Sequence, residues 1–223
     1  FGYWNAIGSV DNCYYLKASV PNTNAGAAAP SVCEMTSVTA EQLSSGEIAY
    51  KLNSSLSYGV WKQTIGTHAY PVFDGATVYY CNEKSGFTNT DPHNMLNDVC
   101  TVCGEYKAPQ LNEEGYYEIY NVAQLFWFAK LVNTGNNMAD CILMDDISLA
   151  GKVWTPIGNK YSGIFDGNGK TISGMSLTVT SGHGGFFSLV GISTIKNLTV
   201  EGTISLNGTD SSNVISGVGG IVG

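Results

Sequence analysis

Apolar and polar positions alternate loosely over the first part of the chain, as they do in short β-strands. Residues 1–20 follow this pattern, whereas residues 21–31, rich in Pro, Asn, Ala and Gly, are predicted to form a loop. Thr39 and Gln42 form a capping box, which predicts one short helix over residues 39–53. The apolar positions that follow, up to about residue 80, predict a ladder of short strands.

A second helix is predicted by its capping residue and by the spacing of its apolar side chains. Asn121 stands three residues before Gln124, as an N-cap does, and Gly135 marks the end of the pattern. The apolar face of this helix is formed by Leu125, Phe128, Ala129 and Val132.

From residue 142 onward the chain becomes a series of short apolar segments separated by Gly, Asn and Asp, and the segments recur. Residues 163–165 resemble residues 185–187, 22 residues later, and residues 220–222, a further 35 residues on. A second motif, Thr171-Ile172, recurs at residues 194–195. A period of about 22 residues is typical of one coil of a parallel β-helix. The predicted fold class is therefore mainly β with two short helices, with C-terminal right-handed parallel β-helix coils and an N-terminal β-rich capping segment.

Residues 81–115 contain few large apolar side chains but three of the six cysteines. We expect them to form a linker held by cross-links or metal, and the domain boundary to lie there. The linker separates residues 1–80 from residues 116–223.

Composition excludes several classes of partner. Only 13% of the residues are charged, the net charge is −8, and all ten basic residues are lysines, so the basic stripe of a nucleic-acid-binding protein is absent. No apolar run approaches the roughly 18 residues of a membrane span, so we expect no membrane insertion by this segment. The high content of Gly and Tyr favours a β-rich surface protein over a helical enzyme.

The repeated segments resemble a known family. The motifs WTPIG (154–158), YSGIFDGNGKTI (161–172) and GGIVG (219–223) are similar to the GLUG-motif repeats of bacterial cell-surface, adhesin-like proteins. Before them, GYYEI (115–119) and QLFWFA (124–129) resemble the capping segment that opens such an array.

The first half of the chain resembles the segment that closes an array, in the motifs NCYYL (12–16), TAEQL (39–43), GEIAY (46–50) and WKQTIG (61–66). The resemblance implies that residues 1–80 close one β-helix array and that residues 116–223 hold the capping helix and coils of the next. We therefore expect a junction fragment of a longer, secreted or cell-surface bacterial polypeptide. Some proteins with such repeats carry a zinc peptidase, but its HExxH helix is absent from this sequence.

The resemblance supplies no catalytic or cofactor-binding residues, and we expect no enzyme. The expected function is a structural or adhesive module that serves as a stalk or presents a ligand-binding surface, with a host glycan or matrix protein as partner. The alternative is a carbohydrate-binding or polysaccharide-cleaving β-helix module. Paired tyrosines favour this alternative, because one of each pair could face solvent and stack on sugars; they are Tyr14, Tyr15, Tyr79, Tyr80, Tyr116 and Tyr117.

Four residues in and beside the linker form a candidate metal site. Cys100 and Cys103 form a CxxC motif followed by Gly104, a geometry that directs two thiolates at one ion. With Cys81 and His93 they could complete a Cys3His zinc site, which would be structural because four protein ligands leave no open position. A disulfide or separate thiols are the alternatives that the sequence leaves open.

The other cysteines carry less specific signals. Cys13 and Cys33 flank the predicted loop and could pair as a disulfide or pack as thiols. Cys141, in an apolar run that extends to Leu143, is predicted to be a small buried side chain.

Overall fold

The computed structural model describes residues 10–17, 33–53, 59–158, 160–207 and 215–223. These residues form sixteen β-strands and three short helices, so the protein is mainly β, as expected. The chain divides into two compact units, Phe1–Pro92 and His93–Gly223. The loop predicted over residues 21–31 lies outside the described residues.

The first unit contains a pair of parallel strands and a short antiparallel pair. Strands β1 (Val10–Leu16) and β2 (Cys33–Val38) are parallel, with Cys13 opposite Met35. Because the side chain of Cys33 is outside the described part, the predicted pairing of Cys13 with Cys33 stays a prediction.

Two helices, α1 (Ala40–Ser44) and α2 (Glu47–Asn53), take the place of the single helix predicted over residues 39–53. The described residues therefore contain three helices, and the predicted number of two was wrong. The capping box at Thr39 is confirmed. The break occurs at Gly46, whose φ of +91° lies outside the right-handed helical region. A Cβ at Gly46 would also lie 3.0 Å from side-chain atoms of Ile65 and Val78. Packing against Ile65 and Val78 therefore requires a glycine at position 46, whereas a continuous helix would accept other residues there.

Residues 59–92 contain less strand than the predicted ladder. A bridge joins Lys62 to Val72, and β3 (Tyr79–Tyr80) pairs with β4 (Phe87–Thr88) in antiparallel fashion. Side-chain amides supply many of the other backbone contacts: the buried Gln63 donates hydrogen bonds to the carbonyls of Leu43 and His68, at 2.7 and 2.9 Å. These bonds satisfy backbone groups without a regular ladder, which alternation of apolar residues cannot reveal.

The second unit begins with two hairpins and a helix. Strands β5 (Met95–Leu96) and β6 (Val99–Cys100) are antiparallel, as are β7 (Gln110–Leu111) and β8 (Tyr117–Ile119). Helix α3 (Val122–Asn133) has Asn121 as its N-cap, which confirms the predicted helix. The apolar face predicted for α3 is buried, because Leu125, Phe128, Ala129 and Val132 all lie in the core.

The remaining strands are short and pair in parallel. They are β9 (Cys141–Leu143), β10 (Ile147–Ser148), β11 (Ile164–Asp166), β12 (Thr171–Val179), β13 (Gly182–Gly184), β14 (Thr194–Lys196), β15 (Thr199–Leu206) and β16 (Ile215–Val218). One sheet has the order β14-β11-β9-β8-β7 and a second has the order β10-β12-β15. A third set consists of β13 with β16 and of parallel bridges that join Ile157 to Phe187 and Phe187 to Val222.

The chain visits these three sets of pairings in the same order three times. We call each passage a circuit: circuit 1 is residues 141–163, circuit 2 is residues 164–193 and circuit 3 is residues 194–223. Strands β9, β11 and β14 open the circuits, and β10, β12 and β15 follow them. Each circuit therefore adds one layer to every set.

The sequence spacing of 22 residues does not correspond to the pairing. Phe165 pairs with Cys141 and Ile195, whereas Phe187 pairs with Ile157 and Val222, so residues 163–165 and 185–187 lie in different sets. Positions that pair between circuits are separated by between 24 residues, from Cys141 to Phe165, and 35 residues, from Phe187 to Val222. The second recurrence, from residues 185–187 to residues 220–222, does correspond to a pairing, because Phe187 pairs with Val222. Inward-facing apolar segments look alike whichever set they join, so similarity alone did not separate this true pairing from the resemblance between residues 163–165 and 185–187.

Aromatic side chains fill the interior of the circuits. Trp154 stacks on Phe186 with ring centroids 4.7 Å apart, and Tyr161 stacks on Phe187 at 5.5 Å. The polar ends of both rings are satisfied, since the Trp154 indole N–H donates to the Phe186 carbonyl and the Tyr161 hydroxyl donates to the Ala139 carbonyl. These partners allow large amphipathic rings to be fully buried.

Candidate metal centre

Three of the four predicted ligands lie together. The sulfur atoms of Cys81 and Cys103 and a ring nitrogen of His93 are all within 4.8 Å of one another, so this group could hold a metal ion. Cys81 is buried, His93 is half-buried and Cys103 is exposed.

The fourth predicted ligand, Cys100, lies beside Cys103 in the CxxC turn. Its sulfur accepts hydrogen bonds from the backbone N–H groups of Cys103, Val102 and Asn94, and from the Cys103 thiol. The bond from the Cys103 N–H is the main reason that the pKa of Cys100 falls from 9.0 to about 6. A pKa of about 6 favours the thiolate form of Cys100 at neutral pH, and the thiolate is the form that binds metals.

The turn that carries the two cysteines is fixed by backbone hydrogen bonds. The Cys100 N–H donates to the Glu105 carbonyl at 2.8 Å, and the Gly104 N–H donates to the Cys100 carbonyl at 2.9 Å. Gly104 has a φ of +75°, a conformation that only glycine adopts without strain. The glycine after the CxxC motif is therefore explained by the backbone conformation that the turn requires at position 104.

Cys81 is held by a separate turn. Its N–H donates to the Ser85 hydroxyl at 3.2 Å, and the Ser85 N–H donates to the side-chain carbonyl of Asn82 at 2.9 Å. Gly86, with a φ of +56°, ends this turn. The position of Cys81 is determined by this turn and by the β3–β4 pair, not by a second CxxC motif. Its spacing from His93 therefore does not match a regular metal-binding motif.

The donor set fits a zinc ion. A tetrahedral site with Zn–S bonds of about 2.3 Å separates neighbouring ligand atoms by about 3.8 Å, which is compatible with the observed limit of 4.8 Å. Thiolate and imidazole are the ligands that zinc prefers, whereas calcium and magnesium prefer oxygen. The free thiol of Cys103 shows that no disulfide joins it to Cys100 in this structure.

The hairpin that leads into the CxxC turn also contacts helix α3, and the sequence did not predict this. Asn97 and Asp98 form the turn between β5 and β6 with φ values of +50° and +61°. The Asp98 carboxylate accepts hydrogen bonds from the side-chain amides of Asn121 at 2.8 Å and Gln124 at 3.2 Å. An Asn-Asp pair between two short apolar runs is a hairpin signal that could have been used.

Cys141 is buried in the second unit, as predicted, and burial is the main reason that its pKa is raised. The paired tyrosines are all half-buried, so none of them is a fully exposed side chain. The exposed tyrosines among the described residues are Tyr70 and Tyr120.

Aspartates of the circuits make structural contacts. Asp140 accepts a hydrogen bond from the Ile164 N–H at 2.6 Å, and Asp146 accepts one from the Thr171 N–H at 2.8 Å. Asp146, in circuit 1, and Asp140, which directly precedes circuit 1, are therefore both bonded to the backbone of circuit 2. Nothing in the neighbouring sequence indicates either contact, because the bonded N–H groups lie 24 and 25 residues further along the chain.

Comparison of the chain with protein-family models, with curated proteins and with solved structures found no match. Within the described ranges, no helix is both long enough and apolar enough to cross a membrane. The fold and the site thus define a mainly β protein with a candidate Cys/His metal centre.

Proposed function

We propose that this chain is a non-catalytic structural or adhesive module of a bacterial surface or secreted protein, built on a right-handed parallel β-helix. The observation that carries the proposal is the repeated order of the three circuits through the same three sets of parallel pairings. Parallel crossovers are almost always right-handed, which is the basis for the proposed hand.

The contacts between circuits support a rigid stalk. The interior is filled by fully buried aromatic rings, and the aspartates described above bond to backbone groups of the following circuit. Such a stack gains stability from each neighbouring layer and can carry loops along its length. The GLUG-like motifs support the same function, since WTPIG and GGIVG contain the bridging residues Ile157 and Val222.

Engineered disulfides test the stacking register. In strands β12 and β15, Thr178 pairs with Ser205 and Ser176 pairs with Thr203, and all four side chains are exposed. Oxidation of the double variant Thr178→Cys/Ser205→Cys should give the matching cross-linked peptide by mass spectrometry. The out-of-register variant Ser176→Cys/Ser205→Cys should not, because its Cα atoms are too far apart for a disulfide. Equal cross-linking of both variants would contradict the proposed stack.

Adhesion and catalysis are separated by two further measurements. Binding of the chain to a glycan array or to a panel of host matrix proteins would support an adhesive role, and its absence would leave the spacer role. Incubation with plant and mucin polysaccharides should produce no new reducing or unsaturated ends. Their appearance would overturn the non-catalytic assignment.

We also infer that Cys81, His93, Cys100 and Cys103 bind one structural zinc ion. The supporting observations are the three clustered ligand atoms and the hydrogen bonds that stabilise the Cys100 thiolate. Elemental analysis of protein purified without added metal should find about one zinc per chain, as a closed four-ligand site requires. Cys103→Ser should lose the zinc and Cys141→Ser, at a cysteine outside the cluster, should retain it. Zinc-free wild-type protein that also fails to take up added zinc would refute the site.

A further inference from the structure

The segment that carries three of the metal ligands also holds helix α3. We call residues 93–107 the knuckle segment. Within it, all of which the structure describes, Cys100 is the only buried side chain. A segment with so little apolar burial cannot hold its own conformation through a hydrophobic core. Bonds to a metal ion would provide the missing constraint.

Three kinds of contact join the knuckle segment to α3. Asp98 accepts hydrogen bonds from Asn121 and Gln124 at the start of the helix. Both carboxylate oxygens of Glu105 accept hydrogen bonds from the ammonium group of Lys130, at 2.9 and 3.0 Å. Tyr106 stacks on Phe126, with centroids 5.6 Å apart and an angle of 14° between the rings.

Helix α3 in turn packs on the circuits. Phe126 contacts Trp154 at a centroid distance of 5.6 Å, and Trp154 stacks on Phe186 of circuit 2. Two residues further along the helix, Phe128 meets Tyr161 and Phe165 edge to face. A continuous row of rings therefore connects the knuckle segment to the interior of the circuits.

We propose that metal binding by the knuckle segment clamps helix α3 onto the circuits, so that loss of the metal loosens the helix and the aromatic interior beneath it. This inference rests on the zinc site proposed above. The coupling passes through Asp98, Glu105 and Tyr106, none of which is a ligand. The metal centre thereby controls the order of the layer that covers circuits 1 and 2.

Hydrogen exchange of the whole chain, with zinc bound and after chelation, measures the clamp. Removal of zinc should speed exchange of the α3 amides by about tenfold or more, since local opening reflects the stability of the unit that opens. A smaller increase is expected at β15, which pairs with β12 at the edge of the sheet β10-β12-β15.

A double variant, Asp98→Gly/Lys130→Gln, separates clamping from metal binding. Glycine accepts the φ of +61° at position 98, so the hairpin turn is kept while the carboxylate is removed. The variant should bind zinc as the wild type does, but exchange of its α3 amides should depend on zinc much less than in the wild type, because only the stacking of Tyr106 on Phe126 remains. The matched control, Asn97→Gly/Lys152→Gln, changes the neighbouring turn residue and an exposed lysine of circuit 1, and should behave as the wild type.

The possible results are distinct. Bound zinc, with α3 exchange that changes by less than about twofold on chelation, would overturn the clamp and leave the zinc site intact. Zinc-dependence of α3 exchange in the double variant as large as in the wild type would also overturn it. Elemental analysis that finds no zinc would overturn both proposals. Zinc-dependent exchange that is strongly reduced in the double variant and kept in its control supports the clamp.

Discussion

At the scale of the residue, a few backbone conformations and carboxylate contacts have consequences for stability. Gly104 ends the CxxC turn with a φ of +75°, and no atom lies within 4 Å of a Cβ placed there. Replacement by alanine would therefore act through backbone strain alone. Asp166, at the end of β11, accepts bonds from the N–H of Asn168 and the side chains of Asn197 and Lys196.

Gly104→Ala should destabilise the metal-binding turn by about 1 to 2 kcal/mol, the cost of a left-handed conformation for a residue with a Cβ. Zinc affinity should fall about tenfold, because the strained turn presents Cys100 and Cys103 less well. Competition with a chromogenic chelator measures this change. The control Gly220→Ala, at a position with equally open space and no positive φ, should leave affinity unaltered.

Asp166→Asn should lower the free energy of unfolding by about 1 kcal/mol at neutral pH. Burial alone would raise the pKa of Asp166, but the bonds from Asn168, Asn197 and Lys196 outweigh it and bring the pKa below 3.8. A lowered folded-state pKa stabilises above the unfolded-state pKa, and this contribution disappears as the pH falls through the folded-state value.

Urea unfolding between pH 7 and pH 3 tests this linkage. The difference between wild type and Asp166→Asn should be constant near neutral pH and shrink below about pH 4. Asp145→Asn is the control, since Asp145 is exposed and accepts a local hydrogen bond from the N–H of its neighbour Asp146. A difference that stays constant to pH 3 would contradict the assigned contacts.

At the scale of the element, caps and apolar spacing account for the helices, whereas packing accounts for their breaks. The caps at Thr39 and Asn121 and the buried face of α3 follow from local sequence. The break at Gly46 follows from contacts with Ile65 and Val78, which are distant in sequence. Residues far along the chain thus decided where a locally favourable helix stops.

Gly46→Ala should destabilise the first unit by about 1 to 3 kcal/mol, because it adds both strain at positive φ and close contacts in the core. If residues 39–53 instead formed one continuous helix, the same change would be stabilising, since alanine is the better helix former. Thermal unfolding monitored by circular dichroism distinguishes the two results. Gly59→Ala, where the nearest other atom to the added Cβ is 3.7 Å away, should be close to neutral.

At the scale of the whole molecule, stability of the second unit depends on aromatic contacts between circuits. Phe165 belongs to circuit 2 and contacts Phe128 of α3 and the rings of Phe186 and Phe187. Its backbone pairs with circuits 1 and 3. One side chain therefore links all three layers and the helix.

Phe165→Ala should cost about 3 to 5 kcal/mol, the usual range for removal of a buried phenylalanine. Loss should extend to all circuits, because each layer buries its interior against the next. Hydrogen exchange across residues 141–207 measures the extent. Ile192→Ala is the control, since that side chain is 96% exposed, and its effect should be within about 0.5 kcal/mol.

The sequence by itself determined the local features of this protein. The capping residues, the apolar face of α3, the burial of Cys141 and the turn chemistry of CxxC with Gly104 all depend on residues within a few positions of one another. The mainly β character was likewise predictable from the short apolar segments between Gly, Asn and Asp. The residues that cause each of these features are neighbours in the sequence, so the sequence alone was enough to predict it.

Only the tertiary structure decided the features that join distant segments. The parallel partners of Phe165 and Phe187, the clustering of Cys81 with His93 and Cys103, and the contact of Asp98 with Asn121 each depend on how intervening turns are spaced. The inward-facing apolar segments share the same pattern of hydrophobic residues. Hydrophobicity therefore indicated that these segments are buried, but it did not indicate which segments they pack against. The partners are separated by 24 to 35 residues and meet only in the folded chain, so preferences that act over a few neighbouring residues do not select them.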